Sequence, residues 1–189
     1  MRAVWAWALV GVLALVAACG CQDSRNEAAA GSRDDRTSSV HNSQDVMFAV
    51  HMIPHHQQAL DMADMVPSRT GNEKLKTAAI HIKTDQRAEI SLLTDFLHQW
   101  GEPDPAPMPT TMEGMVDPAT MSRLQTLSGT DFDSLWITSM ISHHQGAVTM
   151  AEAELAHGQS PEAMKTAQLM ITAQKREISY LTDLIAVPM

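Results

Sequence analysis

From Ser43 onward, polar residues are interrupted by a stripe at intervals of three and four: Met52, His55, Ala59, Met62 and Val66 fall on one line of a helix. This spacing predicts a first helix from Ser43 or Asp45 to Met65 or Val66, ended by Pro67 and Gly71. Pro54 lies inside it and should bend it, because proline lacks an amide donor and crowds the carbonyl four residues back. Asn72 can cap a second helix that reaches Trp100 and stops at Gly101. Its inward candidates are Leu75, Ala79, Ile82, Gln86, Glu89 or Ile90, Leu93 and Phe96 or Leu97. Residues 102–117 form a connector rich in Pro and Met, and Asp117-Pro118 opens a short helix to about Leu127. A third long helix follows Gly129, with Thr130 and Asp133 at capping-box spacing. It carries Leu135, Trp136, Met140, His143, Ala147 and Met150 as far as Gly158. Ser160-Pro161-Glu162 restarts the chain as a fourth long helix to about Ile185.

The pattern is duplicated. Met52-Ile53-Pro54-His55-His56-Gln57-Gln58-Ala59 and Met140-Ile141-Ser142-His143-His144-Gln145-Gly146-Ala147 stand 88 positions apart. The same offset aligns Gln86, Glu89, Ile90 and Leu93 with Gln174, Glu177, Ile178 and Leu181 without a gap. One helical hairpin has been used twice, and few stretches alternate as strands do. The expected fold is all-α, a four-helix bundle of two pseudo-symmetric hairpins spanning 45–189.

The front of the chain adds an address. Arg2 precedes an apolar run from Ala3 to Ala18, about the length of a secretory signal and short for a transmembrane helix. Residues 1–18 therefore read as a signal peptide. Val16-Ala17-Ala18-Cys19 resembles a bacterial lipoprotein cleavage box, which makes Cys19 the lipid-bearing first residue of the mature chain. Ordinary cleavage nearby would instead give a freely secreted protein. Residues 19–44 are Ser, Arg, Asp, Asn, Gly and Ala without apolar period, a flexible tether. Cys21 is the other cysteine, so the helical domain has none for disulfides, iron–sulfur ligation, thiol catalysis or haem attachment. A net charge of -9 and the lack of a dense Lys/Arg stripe disfavour nucleic acid.

Adjacent imidazoles in the middle of a helix need a further reason. Neighbouring helical residues point about 100° apart, so His55 can lie on the Met stripe while His56 faces the neighbouring helix, and likewise for His143 and His144. The two pairs could share one central site, or each hairpin could make its own. Imidazole suits Cu, Zn, Fe and Ni, and thioether favours soft Cu(I). Met52, Met62, Met140 and Met150 flank the histidines, and Met108, Met112 and Met115 lie in the connector. Glu89, Glu177, Gln86 and Gln174 suit the partner-helix role of holding a second ring nitrogen, or could ligate directly. Asp45, Asp133, His51 and His81 are weaker candidates. The bland alternatives are hydrogen-bonded core histidines, methionine as core filler, and a bundle that serves structure or partner binding without a specific metal.

The paired Met-Ile-x-His-His-Gln-x-Ala segments, each followed by Gln-x-x-Glu-Ile-x-x-Leu, resemble the bacterial exported family called domain of unknown function 305. The resemblance covers about 45–185. It implies a ferritin-like four-helix bundle and, since some members are associated with copper tolerance outside the cytoplasm, an extracytoplasmic copper-binding protein for sequestration, tolerance or delivery. It implies Met52, His55, His56, Met62, Met140, His143, His144 and Met150 as the site, with Gln86, Glu89, Gln174 and Glu177 beside it. Cu(I) or Cu(II) is the expected ion, with zinc or another transition metal as the alternative, and an envelope copper-handling protein as a partner. A di-iron oxidase would need Glu-x-x-His on two helices; this chain has Glu154-x-x-His157 once, aligned with Val66 and Arg69 in the first repeat. No nucleophile elbow, zincin motif or phosphate loop is present, so redox enzymology is the least supported reading and reversible metal binding the simplest.

Overall fold

The structure, a computed structural model, describes residues 40–105 and 112–186. The expected signal peptide, the lipid-bearing Cys19, most of the tether and Met108 lie outside the described residues. Five helices follow in order: α1 Ser43–Arg69, α2 Glu73–Trp100, the short α3 Pro118–Thr126, α4 Gly129–His157 and α5 Pro161–Ala186. The long helices form the two expected hairpins, α1 with α2 and α4 with α5, joined through α1 against α4 and α2 against α5. Among the described residues no helix is long and apolar enough to cross a membrane.

The helix ends follow local chemistry. Asn42 caps α1 by accepting from the amides of Gln44 and Asp45, and Asp45 reaches back to the Asn42 amide at 2.6 Å, completing a capping box. Asn72 and Asp117 cap α2 and α3 through their side-chain oxygens, without the reciprocal bond, and Gly101 ends α2 in the left-handed conformation. Two expectations are revised. Pro67 sits in the last turn of α1, where it leaves the Ala63 carbonyl without its usual amide donor, yet the helix runs on to Arg69. The Thr130/Asp133 spacing does not cap α4: it starts at Gly129 after Ser128, which makes no side-chain cap. Asp133 is instead buried and accepts from Thr70 Oγ1 at 2.9 Å, tying the end of α1 to α4.

The interior is layered. One apolar cluster gathers Ala59, Met62, Val66, Leu75, Ile82, Phe132, Trp136, Met140 and Leu181. The other gathers Phe48, Met52, Leu93, Phe96, Leu97, Ala147, Ala151, Ala167 and Met170. On each helix the two sets are separated by the polar positions of the motif: His55 and His56, Gln86 and Glu89, His143 and His144, Gln174 and Glu177. The start of α1 thus shares a cluster with the end of α4, and the bundle is zipped apolar at both ends around a polar waist. Trp136, wholly buried, still satisfies its indole by donating to the Met62 carbonyl at 2.9 Å.

At one end the waist's chemistry is echoed by an acid pair. Asp45 Oδ1 accepts the amides of Gln159 and Ser160 at 3.0 and 2.8 Å, so the first turn of α1 is bound to the α4–α5 turn. Glu154 is fully buried against it. Burial, then the hydrogen bond to Asp45 and its charge, push the Glu154 carboxyl up to about 8. Burial works on Asp45 in the same direction, but the hydrogen bonds from Glu154 and the amides of Asn42, Ser160 and Gln159 outweigh it and hold Asp45 below the usual carboxylate range. Glu154 therefore carries the shared proton when folded. Its unfolded carboxyl titrates near 4.5, so this contribution to stability is complete below that pH and is lost as pH rises through about 8. Thermal melts between pH 5 and 9 should show this alkaline decline, and Glu154→Gln, which keeps a donor for Asp45, should flatten it; an unchanged slope in the variant would contradict the shared proton.

Candidate metal centre

The helix register places all four motif histidines in the waist with no solvent exposure. His55 on α1 and His143 on α4 meet face to face, ring centroids 3.7 Å apart and planes tilted by 33°. His56 and His144 lie outside them, at 6.5 and 6.3 Å from their sequence neighbours. The outer rings are held across each hairpin: His56 Nε2 meets Glu89 Oε2 at 2.7 Å, and His144 Nε2 meets Glu177 Oε2 at 2.6 Å. A carboxylate only accepts, so each Nε2 carries the hydrogen, and in the neutral ring Nδ1 keeps its lone pair. This is the arrangement by which proteins orient an imidazole for a metal.

The inner pair is kept neutral. Burial first, then the charges that His56 and His144 would carry, lower His55 to about 3. The Glu113 carbonyl beside the ring favours the cation and only partly offsets this. His143 is driven well below the ordinary imidazole range by burial and by its three histidine neighbours. Neither ring nitrogen of His55 or His143 makes a well-formed hydrogen bond, nor does Nδ1 of His56 or His144. The side-chain amides of Gln86 and Gln174 are equally buried and unpartnered at both oxygen and nitrogen. Leaving a buried polar atom unsatisfied costs about 1–3 kcal/mol, so this concentration of open ring nitrogens fits a site built to coordinate.

The remaining candidates divide. Met52, Met62 and Met140 are fully buried members of the two apolar clusters, and Met150 is half-buried beside one of them. Met112 and Met115 are half-buried on the connector. His51 is half-buried and His81 exposed, while Asp45 and Asp133 are engaged in the contacts described above. Among the described residues no three His, Cys, Asp or Glu side chains converge on one point at metal distances. Rings in face contact leave no space for an ion between their planes, so joint coordination by His55 and His143 requires at least one ring to turn.

Three residues were not singled out from the sequence. Asp85 on α2 is raised by burial and then by the charges of Glu177 and Glu89, which marks a carboxylate cluster where α2 meets α5. Gln58 holds the returning connector through both atoms of its amide, donating to the Val116 carbonyl at 2.8 Å and accepting its amide at 2.7 Å. Gly146, its counterpart in the repeat, admits the connector's backbone against α4. The available signal was the Gln58/Gly146 mismatch inside otherwise matching motifs.

No curated protein matches the chain. Solved structures do. A protein from Streptomyces coelicolor, described as secreted and of the same domain type, is 31% identical with a TM-score of 0.72 over 76% of this chain and 91% of that one. A fragment from Deinococcus radiodurans is 30% identical with a TM-score of 0.72 over 77% and 97%. CopM in its Cu(II)-bound form is 33% identical with a TM-score of 0.66 over 74% and 94%; CopM has also been solved with Cu(I) and with Ag bound. The family model described as domain of unknown function (DUF305) matches residues 45–185, both hairpins and the connector between them, and the chain belongs to this bacterial family of ferritin-like helical bundles.

Proposed function

We propose that the protein binds copper outside the cytoplasm and serves in its sequestration, tolerance or delivery, with His55, His56, His143 and His144 as the principal ligands. One observation carries this reading: six buried ring nitrogens make no well-formed hydrogen bond, while Glu89 and Glu177 fix the two that remain. Imidazole serves both copper states and thioether the reduced one. Met52, Met62, Met140 and Met150 sit in or against the packed core, a sufficient reason for their presence, so in this reading they assist through proximity to the histidines. Met112 and Met115 on the connector, with Met108, are the thioethers with less packing reason to be there. That CopM is a relative with copper and silver complexes supports the same class of ion. Export follows from the leader-like residues 1–18, and attachment to the outer face of the membrane from Cys19. An apolar-ended bundle with a polar waist would also serve as a purely structural module, and zinc is the competing ion.

Titration of the mature protein with Cu(I) under anaerobic conditions and with Cu(II) in air, each with Zn(II) competition, tests the reading. A folded His55→Gln/His143→Gln variant should lose most of the affinity. Glu89→Gln with Glu177→Gln should weaken binding about 10–100-fold, as expected when the partner that orients a ligand is removed. Equal binding by the wild type and the inner-pair variant would reject it, and Zn(II) binding alone would replace the ion.

A second expectation follows from the depressed inner imidazoles. When folded, His55 stays neutral down to about pH 3, whereas the unfolded ring protonates near 6.5. The unfolded state therefore binds more protons in between, and the metal-free protein should lose stability as pH falls from about 6.5 toward 3. Copper at about 100 times its dissociation constant should add about 2.7 kcal/mol at neutral pH. Denaturant melts with and without metal measure both, and a metal-free stability flat over that acid range would contradict neutral inner rings.

A further inference from the structure

The polar waist is not closed by the four long helices alone. We infer that Met112–Val116 is a strap docked across α1 and α4 beside the inner histidine pair, and that Gln58 and Gly146 are the positioning residues that seat it and so govern how fast metal exchanges. This rests on the copper reading above.

Five contacts define the strap. Gln58 grips Val116 by donating to its carbonyl and accepting from its amide, and both groups are buried. The Val116 side chain is itself buried in the apolar cluster with Ala59, Trp136 and Met140. On α4, the Glu113–Gly114 backbone lies so close to Gly146 that a Cβ there would stand 2.4 Å from the Glu113 carbonyl oxygen and 2.6 Å from the Gly114 Cα. Gly114 needs its own lack of a side chain twice over, for a φ of +81° and because a Cβ would meet the Gly146 Cα at 2.8 Å. The same stretch turns the Glu113 carbonyl toward the His55 ring, and Gly114 also packs on the His143 carbonyl. The strap therefore lies against the His55 ring and the backbone of His143.

Gln58 and Gly146 occupy the same place in the two repeats. A symmetric bundle would present two equal residues to the groove between α1 and α4, but one connector can cross it only one way. A long amide on α1 reaches out to hold the strap, and a missing side chain on α4 lets it in. Neither residue is needed for helix formation, and glycine in the middle of α4 opposes it. A shallow groove lined by Gly114, Met115, Val116, Ser139 and Ser142 runs alongside, which places Met115 at the edge of the closure next to the residue preceding His143. On the other side the outer rings are already engaged by Glu89 and Glu177, so displacement of the strap is the motion that uncovers His55 and His143 without breaking a histidine–carboxylate pair.

The test uses the mature protein loaded with Cu(I), with stopped-flow removal by a chromogenic Cu(I) chelator and equilibrium affinity measured in parallel. Gln58→Ala and Gly146→Ala should each speed release about tenfold or more, equivalent to about 1.4 kcal/mol of lost closure, with affinity changed far less because loading speeds up too. Gln58→Glu accepts from the Val116 amide but cannot donate to its carbonyl, so it should fall between wild type and Gln58→Ala. Hydrogen exchange supplies the readout that a general loss of stability would not reproduce: the Val116 amide should be protected in the wild type and exposed in Gln58→Ala, with the amides of α4 unchanged. Gly146→Ala favours the helix, so faster release there cannot be ascribed to a weakened α4. Wild-type release rates in both alanine variants, or an unprotected Val116 amide in the wild type, would overturn the inference while leaving copper binding intact. A wild type that binds no copper would overturn the functional reading and the exchange-rate claim with it, while Val116 protection would still report whether the strap is docked.

Discussion

Four imidazoles without solvent exposure, placed between two apolar clusters, set the terms for the whole bundle. A helical hairpin of this kind could have been apolar throughout and more stable for it. Instead each hairpin devotes its middle turns to groups that are costly to bury unless paired. The outer histidines are paired with carboxylates from the partner helix, and the inner histidines accept burial by remaining neutral. The apolar clusters above and below carry the folding, which is why Trp136, Phe132, Leu93 and Leu97 can be fully buried at positions remote from the waist. The polar layer is thus clamped from both ends, and ring nitrogens that would otherwise find water are held ready for another partner.

Duplication explains why this layer exists twice, and its imperfections explain the rest of the structure. Positions 88 apart match in the histidine motif and in the Gln-x-x-Glu-Ile segment that faces it, and they differ at several places where a single chain must close around the bundle. Gln58 and Gly146 differ because one connector crosses the α1–α4 groove. Asp45 and Asp133 match in identity but make different contacts, the first with the α4–α5 turn and the second with the Thr70 hydroxyl after α1. Glu154 answers to Val66 and has no counterpart, so the proton-sharing acid pair forms at one end only. These three departures from symmetry lie where the two halves are joined.

The fold was legible because periodicity, caps and the repeat all pointed the same way. Asn72, Asp117-Pro118, Gly101 and Ser160-Pro161 mark helix ends by local chemistry, and local chemistry is what a sequence displays directly. Asp133 misled because capping-box spacing carries no information about a hydroxyl arriving from Thr70, 63 residues away. The pairing of His56 with Glu89 and His144 with Glu177 was foreseeable from the 100° step between neighbouring residues and from the shared repeat offset. Which histidines meet across the bundle was not, since that depends on how the two hairpins dock. The strap was hidden for the same reason: Gln58 reads as an ordinary polar residue until the connector is seen to return over it.

The geometry also bears on what kind of metal handling this waist could perform. A resident catalytic metal is held by converging ligands with one position left open. Here no three His, Cys, Asp or Glu side chains among the described residues converge, and the inner rings lie face to face. Coordination by both inner rings then requires ring rotation, with the orienting carboxylates behind the outer rings. In the copper reading proposed above, such a site would adapt its ligand number to the ion, which suits a metal that changes between the geometry of Cu(II) and that of Cu(I) more than one fixed tetrahedral ion. In that reading capture and release are conformational events. Side chains that must turn to bind can be freed by letting them turn back, and a bundle zipped apolar at both ends can permit that motion in its waist without losing its fold.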